Sequence, residues 1–299
     1  MPQNVNCAVC GSGESAEKYL VNGFRIVRCR DCGLLYVNPR LEPGEIASIY
    51  VSDAYYRSPD PMTCGYGDYL ADEKNIKATF RRKMAGFERE AGGQKGRLLD
   101  VGCASGFFIE TARESGWDAS GVELSPLASA AARDRAGLNV FTGALADAAL
   151  PDGHFDAVTM WDVLEHFPDP RADLRQAFRI LKPGGLLVIQ TPNAASAIAR
   201  LTGGRWACMQ RPAEHLYFFS PATLGRLLRA AGFEPGRYTS AASGKVCDLG
   251  FILERLRSYV DRPFALLGAG IKALGLSDIT FYANIGDNLI MYARKPDKR

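Results

Sequence analysis

A short apolar run that breaks into a turn of small residues constrains this chain more than any other feature. The run "LLDV" covers residues 98–101, the turn "GCASG" follows, and "FFIETARES" then has the composition of a helix. A buried strand, a small-residue turn and a helix are the parts with which doubly wound α/β folds hold a ligand at the carboxyl edge of a sheet. We therefore expect a parallel sheet with a nucleotide-like ligand at this turn.

The spacing of the small residues in the turn decides between classes of ligand. The dinucleotide fingerprint requires glycine at positions 102, 104 and 107, but Ala104 and Phe107 occupy two of them. The tighter G-x-G-x-G turn of S-adenosylmethionine (SAM) enzymes requires positions 102, 104 and 106, where only Ala104 departs from the pattern. We expect the loop to keep its course with a negative φ at Ala104. No Walker-type lysine follows, so a nucleoside triphosphate is not expected.

A second predicted strand, "ASGVELS", ends in an acidic residue about 20 positions after the turn. This residue, Glu123, falls at the carboxyl edge of the neighbouring strand. A carboxylate at that place can accept hydrogen bonds from both hydroxyls of a ribose. Because NAD and SAM both carry a ribose diol, Glu123 supports a nucleoside ligand without choosing between the two.

Four of the eight cysteines form two pairs near the N-terminus. Cys7 with Cys10 and Cys29 with Cys32 each have C-x2-C spacing, and the 18 residues between the pairs suit a four-cysteine zinc ribbon. Four thiolates leave no open coordination position, so a bound Zn²⁺ is expected to be structural. Two disulfides are the competing interpretation, which the cytosolic character of the remaining chain disfavours.

The rest of the chain alternates between strand and helix patterns, as a doubly wound fold requires. "LNVFTGAL" predicts a third strand, and "HFDAVTMW" predicts a fourth, followed by a short helical turn. A helix, a Pro-Gly-Gly turn and a fifth strand follow in "QAFRILKPGGLLVIQTPN". Near the end, "NLIMYARK" alternates like an edge strand.

Several of these motifs together resemble the class I SAM-dependent methyltransferases. The resemblance runs over about residues 95–295 and rests on "LLDVGCASG", "GVELS", "FDAVTMWDVLEH", "LKPGGLLVI" and "HLYFFSPATLGRLLRAAGF". The N-terminal "GFRIVRCRDCGLLYVNPR" resembles the ribbon of a bacterial subgroup related to ubiquinone-pathway O-methyltransferases and antibiotic-sugar methyltransferases.

The resemblance implies an α/β fold with a doubly wound, seven-stranded, mostly parallel sheet whose last strand is antiparallel. It also implies a domain order: a zinc ribbon over residues 1–45, a linker or lid with a covering helix over 46–94, and a methyltransferase domain over 95–299. An amphipathic insertion is expected within that last domain, at about residues 248–276.

The family's cofactor-binding residues carry over to this sequence by position. The turn would surround the methionine part of SAM, Glu123 would bind its ribose, Leu124 and Leu145 would enclose the adenine, and the residues after the fourth strand would border the methyl group. The expected cofactor-binding residues are Asp100, Gly102, Cys103, Ala104, Gly106, Phe107, Glu123, Leu124, Leu145, Trp161 and Asp162.

The three histidines are the candidates for acid–base chemistry, because a hydroxyl acceptor must lose a proton when it is methylated. His154 lies in a polar turn, "PDGHFD", and is expected to be exposed. His215 precedes a helix that should be capped by Ser220, on the acceptor side of the site in resembling proteins. We predict His215 as the base or acceptor-orienting residue, with His166 second.

Three residues of "WDVLEH" have a second potential use. Asp162, Glu165 and His166 are spaced i, i+3 and i+4, so on a helical turn they could hold a divalent ion such as Mg²⁺. The related ubiquinone-pathway enzymes carry a similar acid-x-x-Glu-His cluster. The competing interpretation is that Glu165 pairs locally while His166 packs.

Two further segments bear on how the site is covered. Four tyrosines lie in a Gly- and Pro-rich linker, which predicts either a lid over the cofactor or packing of the ribbon onto the main domain; they are Tyr55, Tyr56, Tyr66 and Tyr69. Apolar residues such as Leu253, Leu256 and Val260 recur at helical spacing between arginines. This insertion is expected to be a substrate-side cap or dimer contact, with peripheral membrane contact as the alternative.

Composition limits the function classes. The formal net charge of +3 does not call for nucleic acid, and no run of 18 apolar residues or signal peptide occurs, so a cytoplasmic protein is expected, with a membrane-peripheral alternative. The predicted function is SAM-dependent methyl transfer to a small-molecule, sugar or lipid-linked acceptor, chiefly at oxygen. The alternatives are a ribbon-docking RNA methyltransferase, a C-methyltransferase of a sugar nucleotide, and a non-catalytic SAM-binding module. The oligomeric state stays open.

Overall fold

The structure is a computed structural model that describes residues 2–56, 69–249 and 279–297, together with 267, 268, 271 and 273–276. The N-terminal part consists of three antiparallel strands and three helices. They are β1 (Ser15–Val21), β2 (Phe24–Cys29), β3 (Leu35–Val37), α1 (Pro43–Val51), α2 (Asp53–Tyr56) and α3 (Glu73–Glu90). The hairpin between β1 and β2 turns at Asn22 and Gly23, which both have positive φ.

Strands and helices alternate through the remaining chain. In order they are β4 (Arg97–Val101), α4 (Phe107–Glu114), β5 (Asp118–Glu123), α5 (Pro126–Ala136), β6 (Val140–Thr142), β7 (Phe155–Trp161), α6 (Pro170–Ile180), β8 (Leu181–Pro192), α7 (Ala197–Thr202), β9 (Tyr217–Phe218), α8 (Pro221–Ala230), β10 (Glu234–Thr239), β11 (Lys245–Asp248), β12 (Thr280–Ala283) and β13 (Asn288–Arg294). Short 3₁₀ turns lie at Leu164–His166, Gly203–Arg205 and Ala207–Gln210.

The central sheet has seven strands in the order β10-β13-β8-β7-β4-β5-β6. Strands β4 to β8 run parallel, whereas β13 runs antiparallel to both β8 and β10. This confirms the doubly wound, mostly parallel fold with an antiparallel last strand. The edge position predicted for "NLIMYARK" is wrong, because β10 pairs on its outer side and five of the seven residues of β13 are buried. Alternation alone does not reveal that a partner strand covers the edge.

Two hydrophobic cores cover the two faces of the sheet. One includes α3 and α4 side chains such as Phe87 and Phe108, and the other includes α6 and α8 side chains such as Leu174 and Leu224. The second core also contains ribbon residues, among them Cys7 and Tyr36. The ribbon sheet gains a fourth strand from β9, which pairs antiparallel with β3.

Several predicted features fall on residues that the structure does not describe. Tyr66 of the linker lies outside the described residues, as does most of the amphipathic insertion, including Leu253, Leu256 and Val260. Within the described part of the chain, no helix is both long and apolar enough to cross a membrane.

Candidate cofactor and acceptor site

The turn after β4 runs through three left-handed residues. Gly102, Ala104 and Gly106 have φ of 71°, 48° and 81°, so the negative φ expected at Ala104 is wrong. The left-handed conformation lets the Ala104 N–H donate to Glu123 Oε2 at 2.8 Å. An alanine in this conformation costs about 1 kcal/mol relative to its preferred regions. The hydrogen bond across the site offsets this cost.

The two glycines of the turn have no room for a side chain. A Cβ on Gly102 would lie 2.5 Å from Val163 Cγ2, and one on Gly106 would lie 2.3 Å from Leu138 Cδ1. Both positions also need the positive φ that glycine adopts without strain. Packing against Val163 and Leu138, together with the positive φ, therefore accounts for glycine at both positions.

Glu123 is held rigidly at the end of β5. Its carboxylate is buried and accepts hydrogen bonds from the backbone N–H groups of Ala104 and Ser125, each at 2.8 Å. The Tyr56 hydroxyl of α2 donates to the same carboxylate at 3.3 Å. Burial raises the pKa of Glu123, while the N–H donors act in the opposite direction. The group is an acceptor of fixed orientation beside the glycine turn.

The other residues expected around the cofactor line the same edge. Asp100 is buried, accepts a hydrogen bond from the Thr159 hydroxyl at 2.6 Å, and has its pKa raised to about 8 by burial. The Tyr69 ring stacks on Phe107 with a centroid separation of 5.4 Å. Cys103, Leu145 and Trp161 are buried, whereas Leu124 and Asp162 are partly exposed.

His166 and His215 lie next to each other, with ring centroids 4.8 Å apart. The Nδ1 atom of His166 is 2.9 Å from the Glu214 carbonyl oxygen, and that of His215 is 2.8 Å from the Cys208 carbonyl oxygen. Because a carbonyl only accepts, these two distances are hydrogen bonds in the tautomer that is protonated at Nδ1, which leaves each Nε2 with a lone pair. Burial lowers the pKa of His166 to about 4 and that of His215 well below its ordinary value, so both rings are neutral at pH 7.

Glu165 completes a potential metal-binding group with these two histidines. Ligand atoms of Glu165, His166 and His215 all lie within 4.8 Å of one another. Glu165 Oε2 accepts from the Thr191 hydroxyl at 2.9 Å, whereas Oε1 is buried and has no hydrogen-bond partner among the described residues. Burial, and then the charge of Asp162, raise the pKa of Glu165 well above its usual range. A bound cation would satisfy the free oxygen.

Asp162 belongs to the surroundings of this group rather than to the group itself. The set predicted from spacing was Asp162, Glu165 and His166, but the structure replaces Asp162 with His215. Asp162 Oδ2 accepts from the Gln190 amide at 2.8 Å, and its Oδ1 is buried without a hydrogen-bond partner in the described chain. Sequence spacing along one helical turn could not anticipate a ligand that arrives from a loop 50 residues later.

Lys83 of α3 is a buried lysine that lies against Trp161, one of the predicted cofactor residues, and the sequence reasoning missed it. Its side chain is 4% exposed, and its Nζ lies 5.2 Å from the ring centroid of Trp161 and 5.4 Å from that of Phe80. Burial lowers the pKa of Lys83 to about 8, and the nearby Asp162 opposes that shift. The sequence contains a signal for this burial. Lys83 is three positions after Phe80 and four before Phe87, so it falls on the apolar face of the helix.

The four ribbon cysteines come together as their spacing predicts. Ligand atoms of Cys7, Cys10, Cys29 and Cys32 lie within 4.8 Å of one another, and all four are free thiols rather than two disulfides. Although burial opposes it, backbone N–H donors of Cys32 and Asp31 lower the pKa of Cys29 to about 7. Such N–H donors stabilise a thiolate, so the donor set fits a four-coordinate Zn²⁺.

The fold and this edge define a doubly wound α/β protein with a nucleoside-type site, the architecture of class I methyltransferases. The model of a methyltransferase domain matches residues 73–236, more than half of the chain. The chain therefore belongs to the class I SAM-dependent methyltransferase family.

Named relatives and a solved structure agree with this assignment. The chain is 34% identical over 154 residues to a ubiquinone biosynthesis O-methyltransferase of Thiobacillus denitrificans, covering 48% of this chain and 66% of that protein. A protein of the same name from Xanthomonas axonopodis pv. citri is 36% identical over 152 residues, covering 46% and 62%. The chain thus matches slightly less than two thirds of the length of these relatives. A SAM-dependent methyltransferase of Thermotoga maritima shares the fold, with a TM-score of 0.50 and 22% identity over 76% of this chain and 93% of that one.

Proposed function

We propose that this protein transfers a methyl group from SAM to a hydroxyl of a small-molecule acceptor. The observation that carries this proposal is the neutral histidine pair, in which each ring offers a nitrogen within 4.8 Å of a Glu165 carboxylate oxygen, next to the residues expected to border the methyl group. Methyl transfer from a sulfonium is an in-line displacement, so a hydroxyl acceptor must be aligned and must lose its proton. His215, with His166 second, can receive that proton.

The described residues fit SAM as the resident cofactor. The turn at residues 102–106 lies at the carboxyl edge of the sheet beside Glu123, whose carboxylate suits the two ribose hydroxyls. Lys83 is a buried ammonium without an ion pair in the described chain, and it suits the methionine carboxylate. When bound, SAM supplies the electrophilic methyl group. The roles of Asp100, Cys103, Ala104, Phe107, Leu124, Leu145, Trp161 and Asp162 around it stay predictions.

The residues around the histidine pair also fit a divalent cation. Two imidazoles and one carboxylate form a donor set that suits Zn²⁺, Mn²⁺ or Fe²⁺ better than Mg²⁺, which prefers oxygen ligands. When bound, such an ion lowers the pKa of an acceptor hydroxyl. Without the ion, the same histidines act directly as bases. The mechanisms with and without a metal therefore use the same residues and differ in their response to chelation.

Binding and turnover should separate the two halves of the site. Titration with S-adenosylhomocysteine should show at least a tenfold loss of affinity in Glu123→Ala, whereas His215→Ala should bind normally. Incubation with methyl-labelled SAM and fractionated lipids, sugar nucleotides, glycans and RNA should label a hydroxylated small molecule or lipid-linked acceptor, with His215→Ala about 100-fold slower. Loss of activity on chelation while the ribbon keeps its zinc, followed by recovery with metal, would select the metal version.

The same experiment tests the alternatives. Label in RNA would support the RNA methyltransferase, label on carbon of a sugar nucleotide would support C-methylation, and no label in any fraction despite intact binding would support a non-catalytic module. Full turnover by His215→Ala would remove the histidine assignment and with it the observation on which the proposal rests.

We also infer a structural Zn²⁺ at Cys7, Cys10, Cys29 and Cys32, and contact between the C-terminal region and a lipid surface. The second inference is supported by large apolar side chains that are exposed in the described residues near the insertion: Leu267, Leu274, Leu276, Ile279, Phe281 and Ile285. Co-sedimentation with anionic liposomes should be reduced by Ile279→Ser and Phe281→Ser together. Equal sedimentation of the variant and the wild type would contradict membrane contact.

A further inference from the structure

Helix α1 brings a tyrosine hydroxyl to the histidine pair from the N-terminal part of the chain. The helix begins at Pro43 after a capping box formed by Glu42 and Glu45, and Ile46 anchors it by packing, 1% exposed, into the core shared with the ribbon. Tyr50 is one turn further along and therefore on the same face. Its ring meets the edge of the His166 ring at a centroid separation of 5.5 Å.

The Tyr50 hydroxyl, the His166 Nδ1 atom and the Glu214 carbonyl oxygen form a closed triangle of contacts. The hydroxyl oxygen is 2.8 Å from Nδ1 and 3.3 Å from the carbonyl oxygen, and Nδ1 is 2.9 Å from the same carbonyl. If Nδ1 had no proton, its lone pair would point at the carbonyl lone pairs. The compatible arrangement has Nδ1–H shared between two oxygens while the tyrosine O–H donates to the carbonyl.

We propose that Tyr50 is a positioning residue that, together with the Glu214 carbonyl, holds His166 in the tautomer protonated at Nδ1. This tautomer keeps the Nε2 lone pair available for an acceptor proton or a metal ion. The role in turnover rests on the function proposed above, but the tautomer itself does not. Tyr50 lies outside residues 73–236, so a residue from beyond the matched methyltransferase domain completes the acceptor side of the site.

The same segment also reaches the cofactor side. Tyr50 contacts Tyr55 edge to face at 4.9 Å, and Tyr55 contacts Tyr56 at 5.1 Å. Tyr56 donates to Glu123, the expected ribose ligand. Helices α1 and α2 thus contact both halves of the site with consecutive aromatic rings, which explains why three tyrosines occur within seven residues of this segment.

The ring nitrogens of the histidines report the proposed role directly. The chain has three histidines, so a long-range ¹H–¹⁵N spectrum of the full-length protein is assigned with His154→Gln and His215→Gln. In the wild type, His166 should show a protonated Nδ1 and an unprotonated Nε2. In Tyr50→Phe, the His166 nitrogens should move part of the way toward the averaged shifts of two tautomers, because the Glu214 carbonyl alone then holds the Nδ1 proton. The nitrogens of His215 should stay in place.

A matched variant controls for the loss of a hydroxyl elsewhere. Tyr238→Phe removes the hydroxyl of a side chain on β10 that is 53% exposed, and it should leave all three histidines unchanged. Unaltered His166 shifts in Tyr50→Phe would overturn the proposal. A wild-type spectrum with the proton on His166 Nε2 would also overturn it, and this second test does not depend on how well the variant folds.

Kinetics then separate the positioning role from the proposed function. Tyr50→Phe should bind S-adenosylhomocysteine within about twofold of the wild type and turn over roughly tenfold more slowly. Unchanged turnover together with altered His166 nitrogen shifts would mean that Tyr50 influences the tautomer of His166 but has no role in catalysis. That result would overturn its role as a positioning residue for turnover. If no acceptor is ever methylated, the proposed function fails while the nitrogen spectra still decide the tautomer.

Discussion

Ala104 stands in a conformation that usually belongs to glycine, and its backbone explains why. The N–H group must point at Glu123 to make the 2.8 Å hydrogen bond, and a φ of 48° provides that direction. The flanking glycines cannot be replaced because Val163 and Leu138 fill the space of a Cβ. At the residue scale, the turn therefore has room for one methyl group, at the partly exposed Ala104, and for none where Val163 and Leu138 pack.

We expect Ala104→Gly to be more stable than the wild type. Relief of the left-handed strain outweighs the extra entropy that glycine loses on folding, for a net gain of about 0.5–1 kcal/mol in the free energy of unfolding. Urea denaturation measures this gain. Ala131→Gly in the middle of α5 is the matched control and should lose about 1 kcal/mol. A destabilised Ala104→Gly would contradict the strain.

Asp100 should make stability fall as pH rises. Burial raises the pKa of Asp100 to about 8 in the folded protein, above its usual value of 3.8. Between these values the native state holds a proton that the unfolded chain has released, so the free energy of unfolding decreases with increasing pH. Asp100→Asn should lack the part of this pH dependence that Asp100 contributes. Near pH 8 its free energy of unfolding should exceed that of the wild type by on the order of a few kcal/mol.

Denaturation between pH 4 and 8 measures the difference between Asp100→Asn and the wild type. Asp118→Asn, at the start of β5 with its side chain 79% exposed, should follow the wild type within about 0.5 kcal/mol at every pH. Parallel curves for Asp100→Asn and the wild type would show that Asp100 is ionised in the folded protein.

At the scale of elements, strand β9 connects the ribbon sheet to the segment that carries His215, on the proposed acceptor side of the site. It pairs with β3, and the residue before it, Leu216, accepts from the Val37 N–H and donates to the Glu165 carbonyl, each at 2.9 Å. His215 immediately precedes this residue. The ribbon sheet is thus joined through β9 to the segment that carries His215. Leu216 in that segment is hydrogen bonded to the turn that carries His166.

An arginine of helix α6 is hydrogen bonded to the backbone between the first two cysteines of the ribbon. Arg171 donates from Nε to the Ala8 carbonyl and from Nη2 to the Val9 carbonyl, both at 2.6 Å. Arg171→Ala should lower the free energy of unfolding by about 1–3 kcal/mol, because two carbonyls lose charge-assisted donors. Arg175→Ala, an exposed arginine of the same helix, should change it by less than about 0.5 kcal/mol in the same denaturation experiment. Equal effects would show that the Arg171 contacts do not stabilise the ribbon.

At the scale of the whole molecule, the ribbon shares a hydrophobic core with the methyltransferase fold. Cys7, Cys29 and Tyr36 belong to the same cluster as Leu164 and Phe219. A segment with so few residues has little core of its own, so its order depends on this packing and on the proposed metal. Loss of the metal should therefore lower the stability of the whole protein and not only that of the ribbon.

We expect Cys29→Ser, or removal of Zn²⁺ by chelation, to lower the melting temperature of the whole protein by at least about 5 °C in one transition. Elemental analysis should find about one zinc per chain fewer in Cys29→Ser than in the wild type. Cys247→Ser, outside the four-cysteine cluster, should retain both the metal and the melting temperature. Absence of zinc, or a melt that chelation does not change, would contradict the structural metal.

Motifs of short range were readable from the sequence because their geometry depends on covalent spacing and local periodicity. The cysteine pairs, the strand–turn–helix at residues 97–114, and the Ser220 cap of α8 are of this kind. The seven-stranded sheet with its antiparallel last strand came from the resemblance, and the structure confirms it. Alternating polarity in "NLIMYARK" gave a strand but not its place in the sheet, because pairing with β10 is a long-range contact.

The sequence singled out His166 and His215, but only the tertiary structure decided what each of them contacts. His166 meets His215, Tyr50 and Glu214 only because α1, the turn after β7 and the segment before β9 converge. Lys83 lies against the Trp161 ring because of how α3 packs on the sheet. Spacing along a chain specifies which residues share a turn, a strand face or a metal knuckle, whereas contacts between distant segments depend on how the elements pack. The sequence therefore determined the glycine turn and the cysteine pairs, and packing determined which groups surround the two histidines.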